Sequence, residues 1–166
     1  KLNKDRHYPI AIMLDTQGPE IRTGEKSVTL ISGKRVDVTI PPYEESEGTL
    51  FVKYAELKDD LKKGSFISLD GGLMSLKVCG KNPKGLDCEV IDGGVVKANR
   101  HVNLPGAIVK LPGITGTDKR DIFFGIEQEV DVIALSFVRS SETVREVRNL
   151  LGVSGQQIKI IAKIEN

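Results

Sequence analysis

The chain has 166 residues, 39% of them hydrophobic, with 24 basic and 23 acidic residues and a net charge of +1. That is enough apolar material for one substantial core or two small ones, and the near-neutral charge gives no footprint for nucleic acid or an anionic membrane. Stretches free of charged residues, such as His101 to Val109, are far too short to span a bilayer, and the N-terminus KLNKDRHYPI has no signal-peptide pattern.

Ile10 to Leu14 is a short continuous apolar run that turns polar at Asp15-Thr16-Gln17-Gly18. Apolar on both faces, it suits a strand inside a parallel sheet. From Glu25 to Leu111 the pattern changes to short alternating or β-branched runs: SVTLI, RVDVTI, LFVKY, FISL, LMSLKV, LDCEVI and GVVKA. Turn residues punctuate them at Ser32-Gly33, Asp70-Gly71-Gly72, Asn82-Pro83-Lys84-Gly85 and Asp92-Gly93-Gly94, where glycine supplies positive φ. Both Asp-Gly-Gly segments read as hairpin turns. Only Ala55 to Lys63 reads as a helical or 3₁₀ turn. The middle of the chain is therefore expected to be a small antiparallel β-barrel or sandwich.

Beyond it the spacing turns helical over Thr117 to Glu129, with Ile122, Phe123 and Ile126 on one face and Asp118 near the start. Val132 to Val138 is a second strand and Ile158 to Ile164 a third. Between them, SSETVREVRNLLG places Val144, Val147, Leu150 and Leu151 on one helical face, with Ser140 or Ser141 as the cap and Gly152 as the stop. Alternating helices and strands demand a parallel sheet with right-handed crossovers. The expected fold is α/β with an all-β insertion, divided into residues 1–18, 19–111 and 112–166. Prolines at Gly18-Pro19 and Leu111-Pro112-Gly113 mark the joints, and the neighbouring glycines leave pivots for a module that moves as a body. A fixed decoration is the static alternative. Cys79 and Cys88 form neither a disulfide framework nor a zinc motif, and read as buried reduced thiols.

Ligand sites in βα architectures gather where parallel strands end. Those ends carry Asp15, Thr16, Glu20 and Arg22; Ser136 and Arg139; and Lys163, Glu165 and Asn166. Lys163 and Glu165, two apart on a strand, point to one face, where they could hold an electrophile and a metal or form a rim ion pair with no chemical role. Asp15 could ligate a cation or close a turn on its own backbone. Arg22 could neutralise a phosphate or sit solvated on the surface. His101, at a β-region turn beside Arg100, reads as a surface residue.

LDTQGPEIRTG (Leu14–Gly24), NLPG (Asn103–Gly106), LPGIT (Leu111–Thr115), SFVR (Ser136–Arg139) and KIEN (Lys163–Asn166) together resemble pyruvate kinase, in that order and at its spacing. The resemblance implies part of a (β/α)₈ TIM barrel carrying a small antiparallel β-barrel lid domain, in a fragment inactive alone. It implies phosphoryl transfer from phosphoenolpyruvate to ADP, giving pyruvate and ATP, with Mg²⁺ (or Mn²⁺) and K⁺. In that scheme Lys163 stabilises the transferring phosphoryl group and enolate, Glu165 ligates Mg²⁺, and Asp15 and Thr16 hold K⁺. Arg22 lies near the phosphate, while Arg100 and Asp70 serve the nucleotide side of the lid. An allosteric homotetramer in the cytoplasm or a plastid is also implied, with no nucleic-acid or membrane partner. Three departures from the family stand in this chain: Gln17 in place of Lys, Asp70-Gly71-Gly72 in place of Asp-Asp-Gly, and Asn99-Arg100-His101-Val102-Asn103 in place of Lys-Lys-Gly-Val-Asn. The rival readings are a non-catalytic β-barrel binding module and another Mg-dependent barrel enzyme acting on phosphorylated enolates.

Overall fold

The computed structural model describes residues 7–165. The lead-in residues 1–6 and Asn166, the last residue of KIEN, lie outside the described residues. The chain divides into two compact units: unit 1, Lys1–Pro19 with Leu111–Asn166, and unit 2, Glu20–Lys110.

In chain order the elements begin with β1 (Met13–Asp15), β2 (Ile21–Arg22), β3 (Val28–Leu30), β4 (Arg35–Thr39) and β5 (Leu50–Phe51). A short helix α1 (Leu57–Asp60) precedes β6 (Phe66–Leu69), a 3₁₀ turn at Asp70–Gly72, and the long pair β7 (Met74–Asn82) and β8 (Gly85–Asp92). Then come β9 (Gly94–Val96), β10 (His101–Asn103), α2 (Gly116–Glu127), β11 (Val132–Leu135), α3 (Ser141–Leu151) and β12 (Lys159–Ala162).

Unit 1 is a parallel sheet in the order β1-β11-β12, in register from Met13↔Val132 and Val132↔Lys159. Its core joins Ile122 of α2, Ile133 and Leu135 of β11, and Val147 and Leu151 of α3, with Leu14, Val144 and Leu150 packed against it. β1 is an edge strand among the described residues, and Ile10, Ile12 and Met13 are about half exposed rather than covered on both faces. The expected face of α2 is rotated. Ile122 is buried and Ile126 packs on the core, but Phe123 is 49% exposed, because the helix turns Asp118 and Gly125 inward. A Cβ on Gly125 would stand 3.2 Å from both Leu14 and Val130, so glycine lets the helix lie close on the sheet. Thr115 caps α2 in a reciprocal capping box with Asp118. Ser140 occupies the N-cap of α3 without a side-chain cap bond, and Gly152 ends the helix at φ 54°.

Unit 2 carries a seven-stranded sheet, β2-β10-β6-β7-β8-β4-β5, and a separate β3-β9 ribbon. All its strand pairs are antiparallel except β4 with β5, whose connection is long enough to bring the chain back in the same direction. β7 and β8 form the expected hairpin at Asn82–Gly85. Gly85 has φ 156°, and a Cβ there would collide with the Val38 carbonyl oxygen. Alternation along β6, β7 and β8 buries one face of each strand: Ile67, Leu69, Leu76, Val78, Leu86 and Cys88 are all essentially inaccessible.

Several turns differ from expectation. Asp70-Gly71-Gly72 does join two antiparallel strands, but as a 3₁₀ turn with Asp70 itself at φ 51°. Asp92-Gly93-Gly94 is not a hairpin turn, since β9 leaves β8 and pairs with β3. Neither Gly93 nor Gly94 has positive φ. Gly93 is needed instead for close approach, as its Cβ would meet Leu30 O at 2.6 Å. His101 opens strand β10 and pairs with Arg22 rather than occupying a turn. Of the two thiols, Cys88 is buried and pushed up to about 12 chiefly by that burial, while Cys79, at a bulge in β7, is only partly covered.

Candidate active site

Three parallel strands of unit 1 end side by side, and the polar residues after them fall together. Asp15 closes β1. Lys163 follows β12, where its N–H bonds Leu135 O at 2.9 Å and its carbonyl accepts from Val138 N–H at 3.0 Å. Pairing with the segment after β11 therefore continues past the strand and fixes the Lys163 backbone. The ammonium Nζ lies 2.7 Å from Asp15 Oδ1 and 3.0 Å from Oδ2, and 3.9 Å from Glu165 Oε1. The residue spacing pairs Lys163 with Glu165, yet Asp15 is the closer partner. The hydrogen bond to Asp15 raises the Lys163 pKa above its ordinary value; partial burial opposes the shift, and the charges of Glu165 and Asp15 add to it.

Glu165 is held from behind, its Oε2 accepting the Phe137 N–H at 3.0 Å. Phe137 reaches that position with φ 55°, a left-handed conformation that costs a non-glycine residue free energy and is concentrated at functional sites. Ser136 locks the loop after β1: its hydroxyl donates to Thr16 O at 2.5 Å and lies 3.4 Å from Asp15 Oδ1, and its N–H donates to Thr16 Oγ1 at 3.2 Å. The result is two partly exposed carboxylates and a backbone carbonyl around one lysine. These hard oxygen donors suit a hard cation rather than a thiophilic metal. Among the described residues no group of three or more His, Cys, Asp or Glu side chains is arranged to hold a metal, so a cation there would draw on Asp15, Glu165, the Thr16 carbonyl and non-protein ligands.

The glycines beside the joints are pinned rather than free. Gly18, at φ 74°, donates its N–H to Asp118 Oδ1 at 2.9 Å, and a Cβ on it would meet Ser136 O at 2.8 Å. Gly113 lies so close to Thr143 that a Cβ on it would collide with the threonine Oγ1. Arg139 adds a bond to Leu111 O at 2.7 Å.

The other candidates belong to unit 2. Arg22 on β2 is bound by Glu20, with Nε to Oε2 at 2.6 Å, and donates to Asn99 O at 2.8 Å. Arg100 approaches Asp70 at 3.6 Å, and its buried Nε has no hydrogen-bond partner among the described residues. Arg100 thus meets Asp70 directly, while Arg22 reaches the backbone of the neighbouring Asn99 and pairs in the sheet with His101. At the end of unit 2, Tyr54 hydrogen-bonds Asp60, and the Lys110 N–H donates to Tyr54 Oη at 3.0 Å. Burial and the bond to Asp60 push the Tyr54 hydroxyl up to about 12. Burial alone would raise Asp60, but the bonds from Tyr54 and Lys110 outweigh it and leave the carboxyl below its usual range.

Two contributors are missed by reading residues singly. The Phe137 amide carries no sequence signal, because any residue has one. Asp118 reads only as a helix-start residue, and its bond to a position 100 residues away is invisible in the sequence.

The family described as pyruvate kinase, barrel domain, matches residues 1–166. Pyruvate kinase PKLR of Homo sapiens is 46% identical over 169 residues, covering 96% of this chain and 29% of that protein. A pyruvate kinase of Sporosarcina psychrophila is 41% identical over 172 residues, covering 100% of this chain and 29% of its own length. Plastidial pyruvate kinase 2 of Arabidopsis thaliana is 40% identical over 159 residues, 95% of this chain and 28% of that protein. The chain thus spans less than a third of the length of these curated relatives. With a family match along its whole length, and a lysine between two carboxylates at the ends of parallel strands, the chain belongs to the pyruvate kinase barrel-domain family.

Proposed function

We propose that the gene product carrying this chain transfers the phosphoryl group of phosphoenolpyruvate to ADP, forming pyruvate and ATP. The observation that carries the reading is Lys163, held by Asp15 and Glu165 where β1 and β12 end. Phosphoryl transfer rests on alignment and charge neutralisation more than on covalent help from the protein. A lysine whose pKa is raised stays cationic at neutral pH, so it can offset negative charge on the transferring phosphoryl oxygens and on the enolate oxygen left behind. The backbone bonds to Leu135 and from Val138 fix the point from which the Lys163 side chain extends.

Glu165 would hold Mg²⁺ or Mn²⁺, and the Asp15 carboxylate with the Thr16 carbonyl would hold K⁺. When bound, these cations supply further positive charge for the phosphoryl and enolate oxygens. Phe137 N–H keeps one Glu165 oxygen oriented, and Ser136 orients the Thr16 carbonyl. In this reading unit 1 is part of a (β/α)₈ barrel spanning residues 1–18 and 112–166, and residues 19–111 form the lid. Arg22 serves the transferring phosphate, and Arg100 and Asp70 serve the nucleotide. Among the described residues no helix is long and apolar enough to cross a membrane. Relatives named as plastidial stand beside the others, so a cytoplasmic or plastid setting both fit, as does a homotetrameric parent under allosteric control.

The test is ADP-dependent pyruvate formation by the complete gene product, measured with Mg²⁺ and K⁺ present. Activity in the wild type that collapses in Lys163→Met and in Glu165→Ala, with both variants folded, is the expected outcome. Undiminished turnover in both would remove the reading, and a wild type that binds but never turns over phosphoenolpyruvate would favour the binding-module rival.

A further inference from the structure

We propose that Asp118 is a positioning residue for the Asp15–Thr16 loop, holding it through the Gly18 amide; the inference rests on the phosphoryl-transfer reading above. Asp118 is 2% exposed, and its carboxylate takes three donors. The two oxygens have separate tasks. Oδ2 accepts the Thr115 N–H at 2.8 Å and the Thr115 hydroxyl at 2.7 Å, which completes the cap of α2. Oδ1 reaches away from the helix to the Gly18 N–H at 2.9 Å. Capping a helix needs only the first set. The second ties the helix start to a loop that is otherwise remote in sequence.

That loop has little other freedom. Gly18 sits at φ 74°, so few other residues would accept its backbone, and it is packed so closely on Ser136 that a Cβ would not fit. Ser136 holds the Thr16 carbonyl and hydroxyl from one side, while Asp118 holds the chain two residues later. Between these anchors the direction of the Thr16 carbonyl and the reach of the Asp15 carboxylate are set. A buried carboxylate with one oxygen left unbonded is costly, which makes the tether self-enforcing: losing the Gly18 bond would leave Oδ1 without a partner. Asp118 touches no reacting atom in this scheme. It acts on the cation through Asp15 and Thr16.

Three substitutions separate the tasks. Thr115→Ala removes the threonine hydroxyl from the cap and leaves Oδ1 on Gly18. Asp118→Ala removes both, and Asp118→Asn keeps one acceptor while placing an amide where the other oxygen was. In the complete gene product, Asp118→Ala is expected to raise the K⁺ concentration for half-maximal activity about tenfold, equivalent to about 1.4 kcal/mol, with turnover at saturating K⁺ within a few-fold of wild type. Thr115→Ala is expected to lower stability yet leave the K⁺ requirement unchanged. Two readouts do not depend on turnover. The extra thermal stability given by KCl over tetramethylammonium chloride at equal ionic strength should shrink in Asp118→Ala alone. Hydrogen exchange at the Gly18 amide should quicken in Asp118→Ala and not in Thr115→Ala.

An Asp118→Ala protein whose Gly18 exchange and K⁺ response match those of Thr115→Ala overturns the proposal. If Asp118→Ala fails to fold, Asp118→Asn carries the same comparison. A wild type without ADP-dependent pyruvate formation would instead defeat the phosphoryl-transfer reading, and the Gly18 exchange rates would still decide whether the tether exists.

Discussion

The two units distribute the same kinds of residue in opposite ways. Of the buried hydrophobic side chains among the described residues, twenty-two belong to unit 2 and nine to unit 1. Unit 2 uses its polar contacts for its own architecture: Tyr54 with Asp60 and Lys110, Glu25 with Lys53 and Asn99, Arg35 with Asp87. Unit 1 has a thinner core and concentrates polar side chains at the ends of its strands, where Asp15, Lys163 and Glu165 meet. Two carboxylates gathered on one lysine beside a left-handed Phe137 are the kind of locally costly arrangement that concentrates at functional sites. The contrast marks unit 1 as the place to look for chemistry, and unit 2 as a self-consistent β structure that presents arginines.

The contrast can be broken in order of expected effect. Leu76 is fully buried at the centre of the unit 2 sheet, so Leu76→Ala should cost about 2–5 kcal/mol. Urea denaturation with hydrogen exchange read separately in β6, β7 and β8 checks this. A loss well below about 1 kcal/mol would show that the unit 2 core is looser than its burial implies.

Next is the polar cluster at the end of unit 2. Tyr54→Phe should cost about 1–2 kcal/mol near neutral pH and speed exchange of the Lys110 amide, which loses one acceptor. Its pH dependence has a definite sign. Asp60 has a depressed carboxyl in the folded chain, so its contribution is present above the unfolded Asp value of about 3.9 and lost as pH falls through the lower folded value. Tyr54 is raised, so its contribution is present below the unfolded Tyr value of about 10 and lost as pH climbs toward about 12. The stability gap between wild type and Tyr54→Phe should therefore be widest in the middle of the range and narrow at both extremes. A gap independent of pH would assign the loss to packing alone.

The smallest effects compare the two helix starts of unit 1. Thr115 makes its cap bond and Ser140 does not. Thr115→Ala should cost about 1 kcal/mol and Ser140→Ala less than about 0.5 kcal/mol, measured by thermal unfolding. Equal costs would mean that the Ser140 hydroxyl caps α3 in solution.

Strand and helix existence was legible because period and composition report burial directly, and nearly every apolar run in the middle of the chain became a strand. What stayed hidden depends on contacts between distant segments. β2 is two residues long and forms only because β10 lies beside it. Gly93 looked like turn chemistry, but its role is to let the backbone pass Leu30 closely. Phe123 matched helical spacing, yet Gly125 and Asp118 decide which face of α2 turns inward. The candidate site divides in the same way. Lys163, Glu165, Asp15 and Thr16 were legible from residue type and motif order, whereas Phe137 N–H and Asp118 enter through backbone geometry that no side-chain pattern encodes.

In the proposed mechanism Glu165 and Lys163 have separate duties at one strand-end cluster. Electron paramagnetic resonance titration of Mn²⁺ into the complete gene product tests this most directly. Glu165→Gln should weaken Mn²⁺ binding at least about tenfold, while Lys163→Met, lacking a positive charge beside the carboxylates, should bind Mn²⁺ at least as tightly as wild type and still form no pyruvate. Unchanged Mn²⁺ affinity in Glu165→Gln, or full pyruvate formation in Lys163→Met, would contradict it.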